Sequence, residues 1–222
     1  MWRDALLVCG KDLRVELRGR VATNQIVPFT LVVLVLFAFA LGPDQATLQS
    51  ASSGLYWLAV LFSTILAVQR SFAVEAADQA REGLRLSGLD PAGIFLGKAL
   101  AVAIQLLVLE AVLALVTLVL YGSHLSGATL LLGTGVAATA GLAAAGTVYG
   151  VLLAGVRVRE TLLPLLLLPV VAPILLAATK AWQAALSGHA GQGGSWLRLL
   201  GVTAAVYLAL GLVAFGPLLE ET

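Results

Sequence analysis

The sequence predicts an all-α membrane protein with six transmembrane helices behind an N-terminal interfacial amphipathic helix. Three observations carry this. Of 222 residues, 60% are hydrophobic and only 11% charged, at a mean hydropathy of +1.00, which lies outside the range of soluble domains. Six apolar runs approach the roughly 20 residues that a bilayer-spanning helix needs. Eleven of the thirteen Lys and Arg residues fall on one side of those runs, as the cytoplasmic loops of a polytopic protein require.

The N-terminal segment, residues 1–23, comes first. On a helical wheel Trp2, Ala5, Leu6, Cys9, Leu13 and Leu17 share one direction while Lys11, Arg14 and Arg18 lie opposite. This is an interfacial helix whose basic face meets anionic headgroups. It serves either as a topology anchor or as a partner contact. The spans that follow are Gln25 to Leu41, Ser53 to Val68, Ile94 to Tyr121, Leu130 to Val156, Leu162 to Thr179, and Trp196 to about Leu212. Ala38-Phe39-Ala40 resembles a signal-peptidase site, but the segment before it is too long and too patterned for an n-region, and five more apolar runs follow.

Orientation follows from the charges. Arg3, Lys11, Arg14, Arg18 and Arg20 precede the first span; Arg70, Arg81, Arg85 and Lys98 follow the second; Arg157 and Arg159 follow the fourth. Only Lys180 and Arg198 lie on the other side, so both termini are expected to be cytoplasmic. The acidic tail, Glu220 and Glu221, adds no support.

The loop after span two is the most informative stretch. Within Arg70 to Ser87, Asp78/Arg81, Asp78/Glu82 and Arg81/Arg85 are helical neighbours, and only the first pair attracts. Like charges grouped on one face are explained by an external partner or by plain solvation. Gly88 then reads as a helix stop, and Asp90-Pro91 as an N-cap followed by a first-turn proline. A short cytoplasmic helix and a tight corner are expected before span three.

Inside the bilayer, Glu110 lies twelve residues beyond Lys98, near the midplane. An ionisable group there costs about 3 kcal/mol on insertion scales, so it should face protein or a hydrated cavity. Two roles are open. Glu110 is a substrate-path or subunit-contact residue, or it is a neutral acid hydrogen-bonded to Thr147 or Tyr149 that holds helices together. A proton relay would require a second titratable group at similar depth, and the spans hold none. Span four is rich in small residues, with Gly141/Ala145 and Gly146/Gly150 at close-packing spacing, and reads as a central helix. Pro164, Pro169 and Pro173 predict a kinked or interrupted span five. Ala181 to Ser195 reads as an external glycine-rich stretch, amphipathic around Trp182 or partly re-entrant.

Several classes are disfavoured. A formal net charge of +1 argues against nucleic acid as a partner. One cysteine and two histidines, His124 and His189, provide neither an internal disulfide nor metal-ligand spacing. Neither a bound cofactor nor a catalytic residue is indicated. No G-x-x-x-x-G-K-[ST] loop occurs, so ATP hydrolysis, if used, belongs to another subunit. No histidine lies in a span to serve an intramembrane protease.

Several stretches together are similar to the cytochrome c maturation protein B (CcmB, haem exporter B) family of ABC-transporter permeases, whose architecture is of the ABC-2 type. They are Lys11-Asp12-Leu13-Arg14-Val15-Glu16-Leu17-Arg18, Leu41-Gly42-Pro43, Arg70-Ser71-Phe72 through Glu75, Gly88-Leu89-Asp90-Pro91 with Lys98 beyond, the glycine-rich span four, and Leu167-Leu168-Pro169-Val170-Val171-Ala172-Pro173-Ile174. Gly188 to Gly194 and the acidic tail match nothing in that pattern. The resemblance implies one permease domain over residues 1–222, acting as a dimer with two copies of a CcmA-like ATPase, CcmC-like and CcmD-like membrane proteins, and a CcmE-like haem chaperone. ATP would be bound by the partner and haem handled by the complex. Residues 70–90 would form the coupling segment, with Arg70, Glu75, Asp78, Arg81, Glu82 and Arg85 as ATPase contacts. An ABC-2-type exporter of a lipid, drug or polysaccharide, and a non-transporting scaffold, are the alternatives.

Overall fold

A computed structural model of the chain describes residues 1–20, 22–42, 44–77, 88–121, 127–156 and 158–221. Helix α1 spans Trp2–Gly19, a π-helical turn Ala22–Ile26 leads into α2 Val27–Ala40, and α3 spans Gln45–Ala77. Helices α4 Pro91–Tyr121, α5 Ala128–Leu152, α6 Arg159–Leu186 and α7 Ala190–Glu221 follow. Among the described residues there is no strand. Helices α3 to α7 are five that are long and apolar enough to cross a membrane; α1 with Asn24–Ala40, bent by 53°, adds a sixth if the pair is one span. The chain is a multi-pass membrane protein. The expected first span, Gln25 to Leu41, is the one not found as a full crossing by itself, since α2 has only 14 residues against the roughly 20 that a crossing takes.

The ends of the helices follow local chemistry. Arg20 closes α1 in the left-handed region at φ 50° and donates its N–H to Glu16 O at 2.8 Å. Asp44 caps α3 by accepting the Thr47 N–H at 3.1 Å together with the Thr47 hydroxyl, and these bonds hold its carboxyl below the usual carboxylate range. The corner before α4 forms as the sequence predicts. Gly88 has φ +67°, which favours glycine, Asp90 Oδ1 accepts the Ala92 N–H at 3.0 Å, and Pro91 is the first residue of α4.

Helix α5 is the hub expected of span four: it packs on α3, α4, α6 and α7. Its glycines let neighbours approach to distances a side chain forbids. A Cβ on Gly141 would sit 2.9 Å from Ile174 Cδ1, and one on Gly146 2.6 Å from Val68 Cγ2.

Three expectations are corrected. First, the charged stretch after span two does not begin as a separate helix. No breaker lies between Val68 and Ala77, so α3 continues through Arg70 and Glu75, and residues 78–87 lie outside the described residues. Second, of the kink or interruption expected from Pro164, Pro169 and Pro173, the interruption does not occur: α6 is one helix. Pro164 leaves the Glu160 carbonyl without its helical donor, and Gln69 Nε2 on α3 donates to that oxygen at 2.8 Å. Third, Ala181 to Ser195 is not a glycine-rich connection but is helical except at 187–189. Helix α6 extends to Leu186 and α7 starts at Ala190, because Trp182 stacks on Tyr56 at 4.3 Å between ring centroids and meets Trp57 edge-on at 5.7 Å. Gly193 lies against Leu130, whose Cδ2 would stand 2.2 Å from an added Cβ, so this glycine serves packing.

Candidate functional site

Two places on the bundle hold polar chemistry: the level of Glu110, and the end at which the basic residues gather. Glu110 is buried, 5% exposed, on the inner face of α4 between Leu106 and Leu113. Its Oε1 accepts the Thr139 hydroxyl of α5, and its Oε2 faces Gly135, where an added Cβ would stand 3.2 Å away. Tyr56 of α3 donates to the Glu110 backbone carbonyl at 3.3 Å. The partner of the acid is therefore Thr139, not Thr147 or Tyr149. The reason is antiparallel geometry: Thr147 lies two turns further along α5, and its hydroxyl bonds Ala143 O of its own helix at 2.7 Å. Among the described residues no ion pair involves Glu110. Three helices thus meet at a hydrogen-bonded acid.

The basic end is a junction of four helices. Lys98 lies two turns into α4 and is 2% exposed, so it is a buried residue and not the loop cation that the charge count implies. Its Nζ lies 3.4 Å from Asp12 Oδ2 on α1 and 4.7 Å from the centre of the Phe72 ring on α3. The same ring covers Gly150 on α5, where a Cβ would stand 2.2 Å from Phe72 Cε2. Asp12, Lys98, Phe72 and Gly150 therefore clamp α1, α4, α3 and α5 together, five residues before α3 leads out at Ala77. Close approach of α1 depends on two further glycines. A Cβ on Gly93 would meet Met1 O at 2.9 Å, and one on Gly97 would meet Ala5 O at 2.6 Å and Val8 Cβ at 2.7 Å.

Docking on α4 buries Ala5, Val8 and Cys9 and divides the apolar face expected of α1: Trp2, Leu6 and Leu17 remain exposed beside the basic Arg3, Arg14 and Arg18. Beside the clamp, a cavity of about 210 Å³ opens between the π-helical turn, α3, the end of α5 and the start of α6. Arg70 lines this cavity. Of the other residues expected to contact an ATPase, Glu75 lies on the last turns of α3, and Asp78, Arg81, Glu82 and Arg85 lie outside the described residues. His124 also lies outside them, while His189 is exposed on the short α6–α7 connection, its Nδ1 3.4 Å from Ser187 Oγ.

Sequence reasoning missed Asp12, Phe72 and Lys98 as a group. One signal was available: a lysine two turns past a first-turn proline, inside an otherwise apolar run, has to be buried and paired.

The family model described as CcmB protein matches residues 3–221 of this chain. The chain belongs to the CcmB protein family. Relatives carrying the name "Heme exporter protein B" match over most of their length. That of Pseudomonas aeruginosa is 30% identical over 214 residues, covering 94% of this chain and 92% of the relative. That of Paracoccus denitrificans is 32% identical over 193 residues, covering 83% and 84%, and that of Haemophilus influenzae 29% over 193 residues, covering 81% of each. As a CcmB-family chain, it carries both the clamp around Lys98 and the acid at Glu110 inside the matched region.

Proposed function

We propose that this chain is the membrane permease subunit of an ABC transporter complex for haem export and cytochrome c maturation. The observation that carries this reading is the family match over nearly the whole chain, with relatives named as haem exporters covering more than four-fifths of their own length. The subunit sits in the bacterial inner membrane with both termini cytoplasmic, a topology supported by the charge asymmetry. It works as one permease domain, paired with a second copy of itself. A separate CcmA-like ATPase binds and hydrolyses ATP, so this chain is not itself an enzyme. CcmC-like and CcmD-like proteins and a CcmE-like chaperone complete the complex, and haem is handled by the assembly.

The coupling segment, residues 70–90, links the end of α3 to the start of α4. Force applied there by ATPase closure acts first on Phe72 and Lys98, and through them on α1 and α5. Glu110 lies twelve residues further along α4, about 18 Å by helical rise. A shift of α4 against α5 would change its bond to Thr139.

Recovery of tagged protein from native membranes in mild detergent tests this reading: a CcmA-like ATPase and a CcmC-like protein are expected to copurify. An unrelated ATPase would move the function to general export, and repeated recovery of none would leave a scaffold. Arg81→Glu and Arg85→Glu are each expected to reduce ATPase association without loss of membrane insertion. Normal association in both variants would sink the coupling role.

A further inference from the structure

The cavity beside the clamp has the chemistry of a binding site that the permease reading leaves unused. Two guanidinium groups line it, Arg70 from α3 and Arg159 from α6. Neither has a hydrogen bond or ion pair among the described residues. Among the described residues the one acidic side chain on its wall is Glu160, and these residues together carry a net charge of +1. Gln69 is held in place by its bond to Glu160 O at 2.8 Å. Apolar side chains also line it, Ile26 from the π-helical turn and, one turn from each arginine, Leu66 and Leu163. A volume of about 210 Å³ falls below the roughly 300–1,000 Å³ of pockets that enclose a whole drug-sized ligand. It suits a headgroup, not a macrocycle.

The position selects the ligand further. The cavity lies where α3 passes from its apolar window, Ala46–Ala73, into its charged end, and where α6 enters its own. This is headgroup depth on the side that carries the basic residues. Basic pockets between transmembrane helices at that depth take anionic headgroups.

We infer that the cavity is a site for a singly charged phosphodiester with apolar tails, an anionic glycerophospholipid of the adjacent leaflet, held by Arg70 and Arg159 with its chains against Ile26 and Leu163. The guanidinium forks pair with the phosphate oxygens, and the carbon chains lie along the apolar side chains. One lipid then bridges α3 to α6 at the base of the coupling segment. The site does not depend on what the permease serves.

The test is native mass spectrometry of the purified full-length protein, delipidated in detergent and titrated with phosphatidylglycerol or phosphatidylcholine. Wild type is expected to retain one phosphatidylglycerol per chain in preference to phosphatidylcholine. Arg70→Gln and Arg159→Gln are each expected to lower that retention about fivefold, and the double variant more. Arg14→Gln with Arg18→Gln, which removes the same charge from exposed positions on α1, is expected to change it less than about twofold. Cys9 should stay protected from a maleimide in every variant, which shows that the fold persists. Equal retention of the two lipids by wild type, unchanged retention in the double variant, or an equal loss in the α1 variant would overturn the inference. Displacement of phosphatidylglycerol by millimolar inorganic phosphate would overturn the lipid as the source and assign the cavity to a free anion.

Discussion

Gly97→Leu is expected to lift α1 from α4 and expose Cys9. An added Cβ at this position would stand 2.6 Å from Ala5 O and 2.7 Å from Val8 Cβ, and neither a backbone oxygen nor a β-carbon on a helix yields without moving the helix. Overpacking of this kind costs about 1–3 kcal/mol, which raises the undocked population by a factor of about 5 to about 160. The chain carries one cysteine, and it is buried in this interface at 5% exposure, so it reports on docking without an engineered label. Maleimide modification should accelerate by the same factor in Gly97→Leu. Gly10 has nothing within 4 Å of an added Cβ, so Gly10→Ala should modify at the wild-type rate. A wild-type rate in Gly97→Leu would mean that α1 is not held by this approach.

The second large effect is expected at Glu110. Replacing it by lysine puts an ammonium group, with three donors, where the structure provides one hydroxyl, Thr139, and the bare backbone of Gly135. Insertion scales assign about 2.5–3.5 kcal/mol to a lysine at helix centre, and the bundle loses the Thr139 bond in addition. Glu110→Lys should therefore unfold at much lower denaturant than wild type, or fail to accumulate. Glu110→Gln keeps an acceptor for Thr139 in nearly the same shape and is expected to stay within about 1 kcal/mol of wild type. It is also expected to support holocytochrome c formation at wild-type level, because one hydrogen bond across a helix interface is what the geometry requires of this residue. A folded Glu110→Gln that fails to mature cytochromes would instead assign the acid a role in the working cycle.

Both effects rest on contacts that were only partly legible in the sequence. The apolar runs and the basic asymmetry were sufficient to read a multi-pass helical protein, because each span must bury its own backbone hydrogen bonds and be long enough to cross. The corner at Gly88-Leu89-Asp90-Pro91 was legible for a similar reason: positive φ, an aspartate cap and a first-turn proline are local devices. The glycines of α5 announced close packing, but not against what. The partner of Glu110 could not be read, since choosing Thr139 over Thr147 takes the register of two antiparallel helices, which no local pattern encodes.

These differences share a cause. The local propensities of the prolines in α6 and of the glycines beyond Trp182 favour breaks and loops. In the folded chain Gln69 supplies the bond to Glu160 O that Pro164 cannot, and Tyr56 and Trp57 hold Trp182 inside a continuous helix. The charge pattern groups Lys98 with the loop cations because it registers charge and not depth.

By itself, then, the sequence determined the solvent, the order of the five long apolar helices, the grouping of positive charge in alternate connections, and the resemblance that the family match bears out. Those properties depend on composition and local spacing. Only the tertiary structure decided that Asp12, Lys98, Phe72 and Gly150 form one clamp, that Arg70 and Arg159 share a cavity, and that Thr139 holds Glu110. Each joins residues far apart in the chain, and the helix register that brings them together is set by side-chain packing across the whole bundle.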